Sequence, residues 1–263
     1  MSKTRRALLT LLALALVKMP LDALLAALLP DASVNALPVC IAGAAASVLL
    51  LGVPAWRMRP WRSPRLTQSG FLWEGIAWGI LAALLARASF GPMDAAWQAW
   101  LGIAPDAVMV PQGIPAAMVF VGTVMILPAL TEEVFFRGAL LTGLLDGSRR
   151  YTAVFVTTLA FTLMHGSAAN LPSHLAVSLM LTLLMMRTGH IAAPVTAHLV
   201  YNLTALSGIT LPDGAHILGC AAFGALCGGL LARRMKMAHP PMKWQDGLIA
   251  CAALAVLAVQ YFV

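Results

Sequence analysis

Long apolar runs separated by short polar stretches make up almost the whole chain. Most of the runs approach the ~20 residues that a helix needs to cross a bilayer. Their expected bounds are 7–29, 35–56, 71–90, 114–145, 151–165, 173–186, 191–207, 215–232 and 247–263. We therefore predict an all-α fold, a polytopic integral membrane helical bundle with about eight or nine transmembrane helices. Pro128 lies inside the fourth run and predicts a kink or a widened turn there.

Basic residues concentrate in alternate connections between the runs, which is a topology signal. These basic stretches are 57–65, Arg149 with Arg150, Arg187 and 233–243. The acidic residues of the other connections are Asp31, Asp94, Asp106 and Asp213. The pattern predicts a cytoplasmic N-terminus, with Arg87 as the exception to the positive-inside rule. The longest connection, 91–113, is apolar but broken, and we expect it to lie along the membrane surface.

Composition supports a membrane protein and excludes several other classes. Apolar residues make up 60% of the chain and charged residues 10%, with a mean hydropathy of +0.86; soluble domains have about 25% charged residues. Because the spans use nearly all residues, we predict one transmembrane domain, 1–263, with the lipid bilayer as its surroundings. The net charge of +7 comes from residues at span ends, which argues against a nucleic-acid partner. The four cysteines lack metal-ligand spacing.

Ionisable residues inside the spans are costly and indicate functional sites. The fourth run contains Glu132, Glu133 and Arg137. Glu133 and Arg137 are four residues apart, so they share a helix face and can neutralise each other. Glu132 points about 100° away from that pair and is a candidate for proton transfer. A structural salt bridge between helices is the alternative interpretation of this cluster. In the first run, Lys18 and Asp22 have the same spacing and can also pair.

Two later runs each place a histidine four residues from another functional side chain. These pairs are Phe161 with His165 and His198 with Asn202. Counted from the polar turn near Ser148, Glu132 and His165 both lie about 25 Å into the membrane. His198 and Asn202 come out at about 14 and 20 Å, within reach of the same cavity. A carboxylate, two imidazoles and a carboxamide are therefore expected to converge.

The order EExxxR, FxxxH, HxxxN on successive helices resembles the CAAX protease and bacteriocin-processing family of intramembrane proteases, which includes the type II CAAX prenyl endopeptidases. The resemblance covers about 128–207 and implies a catalytic helical core at about 114–208. It implies that Glu132 and His165 activate a water, and that His198 and Asn202 stabilise the oxyanion. Glu133, Arg137 and Phe161 are then supporting residues. The chain is expected to be an intramembrane endopeptidase that cleaves a membrane-associated or lipidated peptide or protein.

Several alternatives remain open from the sequence. Zinc held by Glu132, His165 and His198 is chemically possible, although we favour a site without cofactor or metal. An accessory membrane protein for peptide or bacteriocin maturation, or for self-immunity, is a different functional class. A transporter would need inverted repeats, and none is evident. We expect a bacterial inner membrane location, and the sequence leaves the oligomeric state and the substrate open.

Overall fold

The computed structural model describes residues 1–28, 37–58, 72–105, 110–205, 213–232, 241–259 and 261. These residues form nine helices and no strand. Their bounds are α1 Lys3–Leu28, α2 Leu37–Met58, α3 Leu72–Leu101, α4 Ile114–Leu145, α5 Arg150–Met164, α6 Leu171–Thr188, α7 Ala192–Ala205, α8 Asp213–Ala232 and α9 Trp244–Val259.

The helices confirm the expected fold class. Segments of α1 to α4 and the whole of α6 are long and apolar enough to cross a membrane, and α5, α8 and α9 contain shorter apolar helices. Many large apolar side chains face outward, among them Trp56, Phe155 and Leu218. Such an apolar exterior suits contact with lipid, since lipid chains are as apolar as the side chains themselves. The protein is an integral membrane protein built as a polytopic helical bundle.

The expected end of the third span was wrong, because α3 does not stop at Phe90. It continues through Pro92 to Leu101. The segment that we predicted to lie along the membrane surface from residue 91 is therefore helical up to Leu101. Contacts with the α5–α6 connection accompany this extension. Trp97 Nε1 donates to Ala168 O at 2.9 Å, and Asp94 Oδ1 accepts from the Ser173 backbone N–H at 3.1 Å. These contacts offset the hydrogen bond that Pro92 cannot donate.

Helix α4 contains two widened, π-helical segments on either side of the acidic pair. Val121–Ile126 precedes Pro128, and Val134–Leu141 follows Glu133. The Leu127 N–H donates to Gly122 O, five residues back. The widened turn that Pro128 predicts is therefore present. π-Bulges of this kind are frequent at functional sites because they rotate the side chains that follow them.

Helices α3 and α7 approach closely through small residues. A Cβ at Gly79 would lie 2.6 Å from Ala193 O and 3.2 Å from the Ala197 backbone N, and one at Gly75 would lie 3.3 Å from the Ala193 Cβ. Glycines four residues apart allow two helix backbones to approach in a membrane. This contact holds α7, which carries His198, against the longest helix before α4.

Ion pairs connect helix ends that the predicted topology places on one side. Lys3 Nζ of α1 lies 3.0 Å from Asp146 Oδ2 after α4, and Arg5 Nε donates to Asp246 Oδ1 of α9 at 2.9 Å. The Lys18–Asp22 pair in α1 is also formed, as its spacing predicts. Asp31, Asp106 and most of the basic stretches 57–65 and 233–243 lie outside the described residues.

Candidate active site

Two imidazole nitrogens approach one carboxylate oxygen at the junction of α4, α5 and α7. Glu132 Oε2 lies 3.8 Å from His165 Nε2 and 3.9 Å from His198 Nε2. Glu132 is on α4, His165 directly follows α5, and His198 is on α7. The three predicted residues are therefore adjacent in the structure, although residue counting had placed His198 nearer the membrane surface than Glu132 and His165.

Glu133 is the buried partner of two cationic or polar side chains. Its Oε1 accepts from Arg137 Nη1 at 2.9 Å and lies 2.9 Å from His198 Nδ1. Glu133 and Arg137 are both fully buried. The predicted intrahelical pair is confirmed, and Glu133 also reaches across to α7. A single carboxylate thus joins the acidic helix to the helix that carries the second histidine.

Arg137 has further partners on α6 and α5 that sequence reasoning missed. Its Nη2 donates to both Ser178 O and Ser178 Oγ at 3.0 Å, and the Ser178 hydroxyl donates to Thr158 O at 3.2 Å. The guanidinium lies 4.2 Å above the Phe161 ring centroid. The two Nη atoms bind a carboxylate, a carbonyl and a hydroxyl, and the aromatic face adds a cation–π contact, whereas Nε is buried without a hydrogen-bond partner among the described residues. The polar Ser178 within the apolar run of α6 is the sequence feature that could have indicated a partner for Arg137.

Phe161 contacts the rings of both candidate histidines. Its ring centroid is 4.6 Å from that of His165 and 5.7 Å from that of His198. His165 has a second ring neighbour, His174 of α6, at 4.3 Å between centroids. No sequence motif indicated His174. The two contacts restrict the orientation of the His165 imidazole from both sides.

Hydrogen bonds to Nδ1 indicate the tautomers of His165 and His198. His165 Nδ1 lies 2.9 Å from Phe161 O, and a carbonyl oxygen only accepts, so this nitrogen carries the proton. His198 Nδ1 likewise donates to the Glu133 carboxylate. When each imidazole is neutral, its Nε2 therefore presents a lone pair toward Glu132. The site gathers three proton-accepting atoms, and a single water could donate to two of them.

A cavity of about 190 Å³ opens onto this carboxylate. Glu132, Met164 and His165 line its inner end, and the remaining lining comes from α1 and α2. The α1 and α2 residues are Leu14, Lys18, Asp22, Leu25, Gly43, Ala46, Ser47, Leu50 and Leu51. Glu132 and His165, but not His198, are thus reached from the α1–α2 side.

Asn202 lies one turn beyond His198 on α7 and does not line the cavity. Its Nδ2 donates to Met125 O of α4 at 3.4 Å, in the first widened segment. This weak bond uses one of the two amide hydrogens. The role that the resemblance implies for Asn202 stays a prediction.

The described part of the chain contains no group of three or more His, Cys, Asp or Glu placed to hold a metal ion. Tetrahedral zinc with bonds of about 2.1 Å brings its ligand atoms to within about 3.4 Å of one another. The nitrogen-to-oxygen separations around Glu132 Oε2 are 3.8 and 3.9 Å. Zinc would require these side chains to move inward by several tenths of an ångström.

The fold and site define an integral membrane helical bundle with a buried carboxylate between two imidazoles. Residues 112–204 match the family model described as type II CAAX prenyl endopeptidase Rce1-like. This match confirms the resemblance indicated by the three motifs and covers all of the predicted site residues. It does not include α1, α2, α3, α8 or α9. No curated protein and no solved structure matches the chain.

Proposed function

We propose that the chain is an intramembrane endopeptidase that hydrolyses a peptide bond with a water activated by Glu132 and His165. The observation that carries this proposal is the approach of His165 Nε2 and His198 Nε2 to the same oxygen of Glu132. The similarity of residues 112–204 to type II CAAX prenyl endopeptidases supports the reaction class.

The water donates to Glu132 Oε2 and to His165 Nε2. Two acceptors 3.8 Å apart can both be reached by one water oxygen at about 2.8 Å from each. Glu132 takes a proton as the water oxygen attacks the scissile carbonyl carbon, and the carbonyl oxygen becomes an oxyanion. Glu132 then returns the proton to the leaving amine when the carbon–nitrogen bond breaks. The proton count is balanced without any further group.

The oxyanion is stabilised by His198 and Asn202. His198 donates through Nδ1 to Glu133, so it can donate through Nε2 only as the imidazolium. The formal charges of Glu132, Glu133, Arg137 and His198 then add to zero, which suits an apolar surrounding. Asn202 contributes an amide hydrogen after a small rotation away from Met125. Donors held in place in a low-dielectric site stabilise developing charge effectively.

The substrate in this proposal is a membrane-associated or lipidated peptide or protein, because the site lies at membrane depth. The location is a bacterial inner membrane with the N-terminus in the cytoplasm, as the distribution of basic residues predicts. No resident cofactor takes part in the proposed reaction.

Glu132→Gln tests the proposal. The amide has nearly the same shape but cannot accept a proton, so proteolysis should fall by at least 10²-fold while the folded yield in detergent is unchanged. Glu74→Gln, which changes an exposed carboxylate on α3, is the matched control and should keep full activity. The readout is cleavage of a panel of prenylated, bacteriocin-like and membrane-anchor peptides. Full activity of Glu132→Gln would exclude Glu132 as the base.

A further inference from the structure

One face of α1 carries a charged pair into the cavity that ends at Glu132. Leu14, Lys18, Asp22 and Leu25 all line the cavity, and their spacing of four, four and three residues places them on one helix face. The pair lies outside the segment that matches the family model. Charges inside a membrane span are functional candidates by default.

Lys18 and Glu132 lie at the same depth. The Lys3–Asp146 ion pair places the start of α1 beside the end of α4. From that level, Lys18 is fifteen residues along α1 and Glu132 is fourteen residues back along α4. Each is therefore about 21–22 Å from the common end at ~1.5 Å per residue. The ammonium group belongs to the same layer of the molecule as the catalytic carboxylate.

The two members of the pair differ in exposure. The Lys18 side chain is 18% exposed, whereas that of Asp22 is 54% exposed. The cation is thus the more shielded group of the pair. Weakly polar surroundings strengthen the attraction between Lys18 and an anionic group that enters the cavity.

The opposite wall of the cavity leaves space beside Lys18. Gly43, Ala46 and Ser47 of α2 line it, and a Cβ at Gly43 would have no neighbour within 4 Å. Small side chains at this position keep α2 from filling the cavity. This wall therefore leaves room for part of a bound peptide beside α1.

We infer that Lys18 is a specificity-determining residue, which binds a carboxylate of the peptide substrate in the α1–α2 cavity. The inference rests on the proposed endopeptidase function, since the anionic groups of a peptide are carboxylates. The carboxylate is either the C-terminus of the chain or an Asp or Glu side chain. Asp22 competes with it for Lys18 and weakens its binding.

The test uses the full-length protein in detergent and one apolar peptide in four forms. Two forms differ only in a free C-terminal carboxylate or a C-terminal amide. The other two have the amide end and an internal Glu or Gln. Binding is measured by fluorescence anisotropy to the Glu132→Gln protein, and kcat/KM is measured with Glu132 intact. We expect one carboxylate form to bind about 10- to 100-fold more tightly than its neutral counterpart.

Two variants of the pair separate recognition from a structural role. Lys18→Met should abolish the preference for the carboxylate form and leave the neutral peptide unaffected. Asp22→Asn should increase the preference several-fold, because the competing anion is removed. Lys3→Met, at the exposed end of the same helix, is the matched control and should change neither. A merely structural ion pair would instead make both single variants less stable, without opposite effects on the preference.

The outcomes distinguish this inference from the proposed function. Equal binding of all four peptides to the Glu132→Gln protein would overturn the role of Lys18, even if the intact protein cleaves them. A preference that survives in Lys18→Met would also overturn it. Selective binding without cleavage by the intact protein would support the carboxylate subsite and contradict the proposed proteolysis.

Discussion

Glu132 and Glu133 are neighbours in the chain but differ in their surroundings. Glu132 faces a cavity and two imidazole nitrogens, whereas Glu133 is fully buried between Arg137 and His198. The first position suits proton transfer because water can reach it, and the second suits charge compensation because water cannot. This difference in surroundings supports the proposed role of Glu132 in proton transfer and a charge-compensating role for Glu133.

For individual residues, we predict that neutralising Glu133 and neutralising Arg137 have non-additive effects on the free energy of unfolding. Glu133→Gln leaves a buried guanidinium without its counter-charge and should cost about 3–5 kcal/mol. Arg137→Met removes the cation beside Glu133 and should also be destabilising, because the Glu133 carboxylate then keeps, among the described residues, only its contact with His198. The double variant should be more stable than either single one. Thermal unfolding in detergent measures the effect, and a double variant no more stable than Glu133→Gln would argue against the pair.

The positions of the side chains around Glu132 also lead to a prediction about the metal content of the protein. The separations around Glu132 Oε2 exceed those of tetrahedral zinc, and the proposed steps need only protons and fixed donors. We expect purified active protein to contain far less than one zinc per chain, and prolonged chelation to leave its activity intact. Elemental analysis and activity before and after chelation are the measurements. Stoichiometric zinc whose removal and return control activity would make Glu132 a ligand.

At the scale of the helices, the contact between α3 and α7 positions the second histidine. The approach depends on Gly79, where a Cβ would collide with the carbonyl of Ala193. The backbone of α7 cannot give way without moving His198, which lies one turn further along. The packing of α3 against α7 thus determines where His198 lies.

Gly79→Ala should therefore reduce activity by about tenfold or more, since displacements of about 1 Å are costly in an active site. Gly224→Ala is the control, because a Cβ there would have no neighbour within 4 Å. Both variants should be recovered in folded form, and kcat on a cleaved peptide is the readout. Unchanged kcat in Gly79→Ala would mean that α7 tolerates the displacement or that His198 is not needed.

For the whole molecule, the ion pairs between helix ends agree with the alternation predicted from basic residues. The start of α1 meets the end of α4 through Lys3–Asp146 and the start of α9 through Arg5–Asp246. Arg187 Nη2, in the last turn of α6, lies 3.7 Å from Glu74 Oε1 at the start of α3. All of these ends are on the predicted cytoplasmic side. The membrane orientation itself stays a prediction from the positive-inside rule.

Cysteine labelling tests this orientation. In a background in which the four native cysteines are replaced, Arg149→Cys should react with a membrane-impermeant maleimide only from the cytoplasmic side. Trp100→Cys, at the other end of α3 and exposed, should react only from outside. Labelling of intact cells compared with inverted vesicles gives the answer. Reaction of both positions from one side would contradict the predicted topology.

The sequence by itself determined the fold class, the approximate spans and the pairs within single helices. Lys18–Asp22 and Glu133–Arg137 are i,i+4 pairs, and helical geometry alone brings such residues together. The common depth of Glu132 and His165 followed from counting residues, because helices rise by a constant amount per residue. The motifs EExxxR, FxxxH and HxxxN also indicated the family before any contact was known.

Tertiary structure decided what local spacing cannot specify, namely the rotation and the lateral neighbours of each helix. It placed His174 against His165, Ser178 against Arg137, and Glu133 between two helices. It also extended α3 beyond Phe90, because Trp97 and Asp94 find partners on a distant connection. Only packing brought Lys18 to the cavity of Glu132, since residue counting gives depth and not which helices are adjacent.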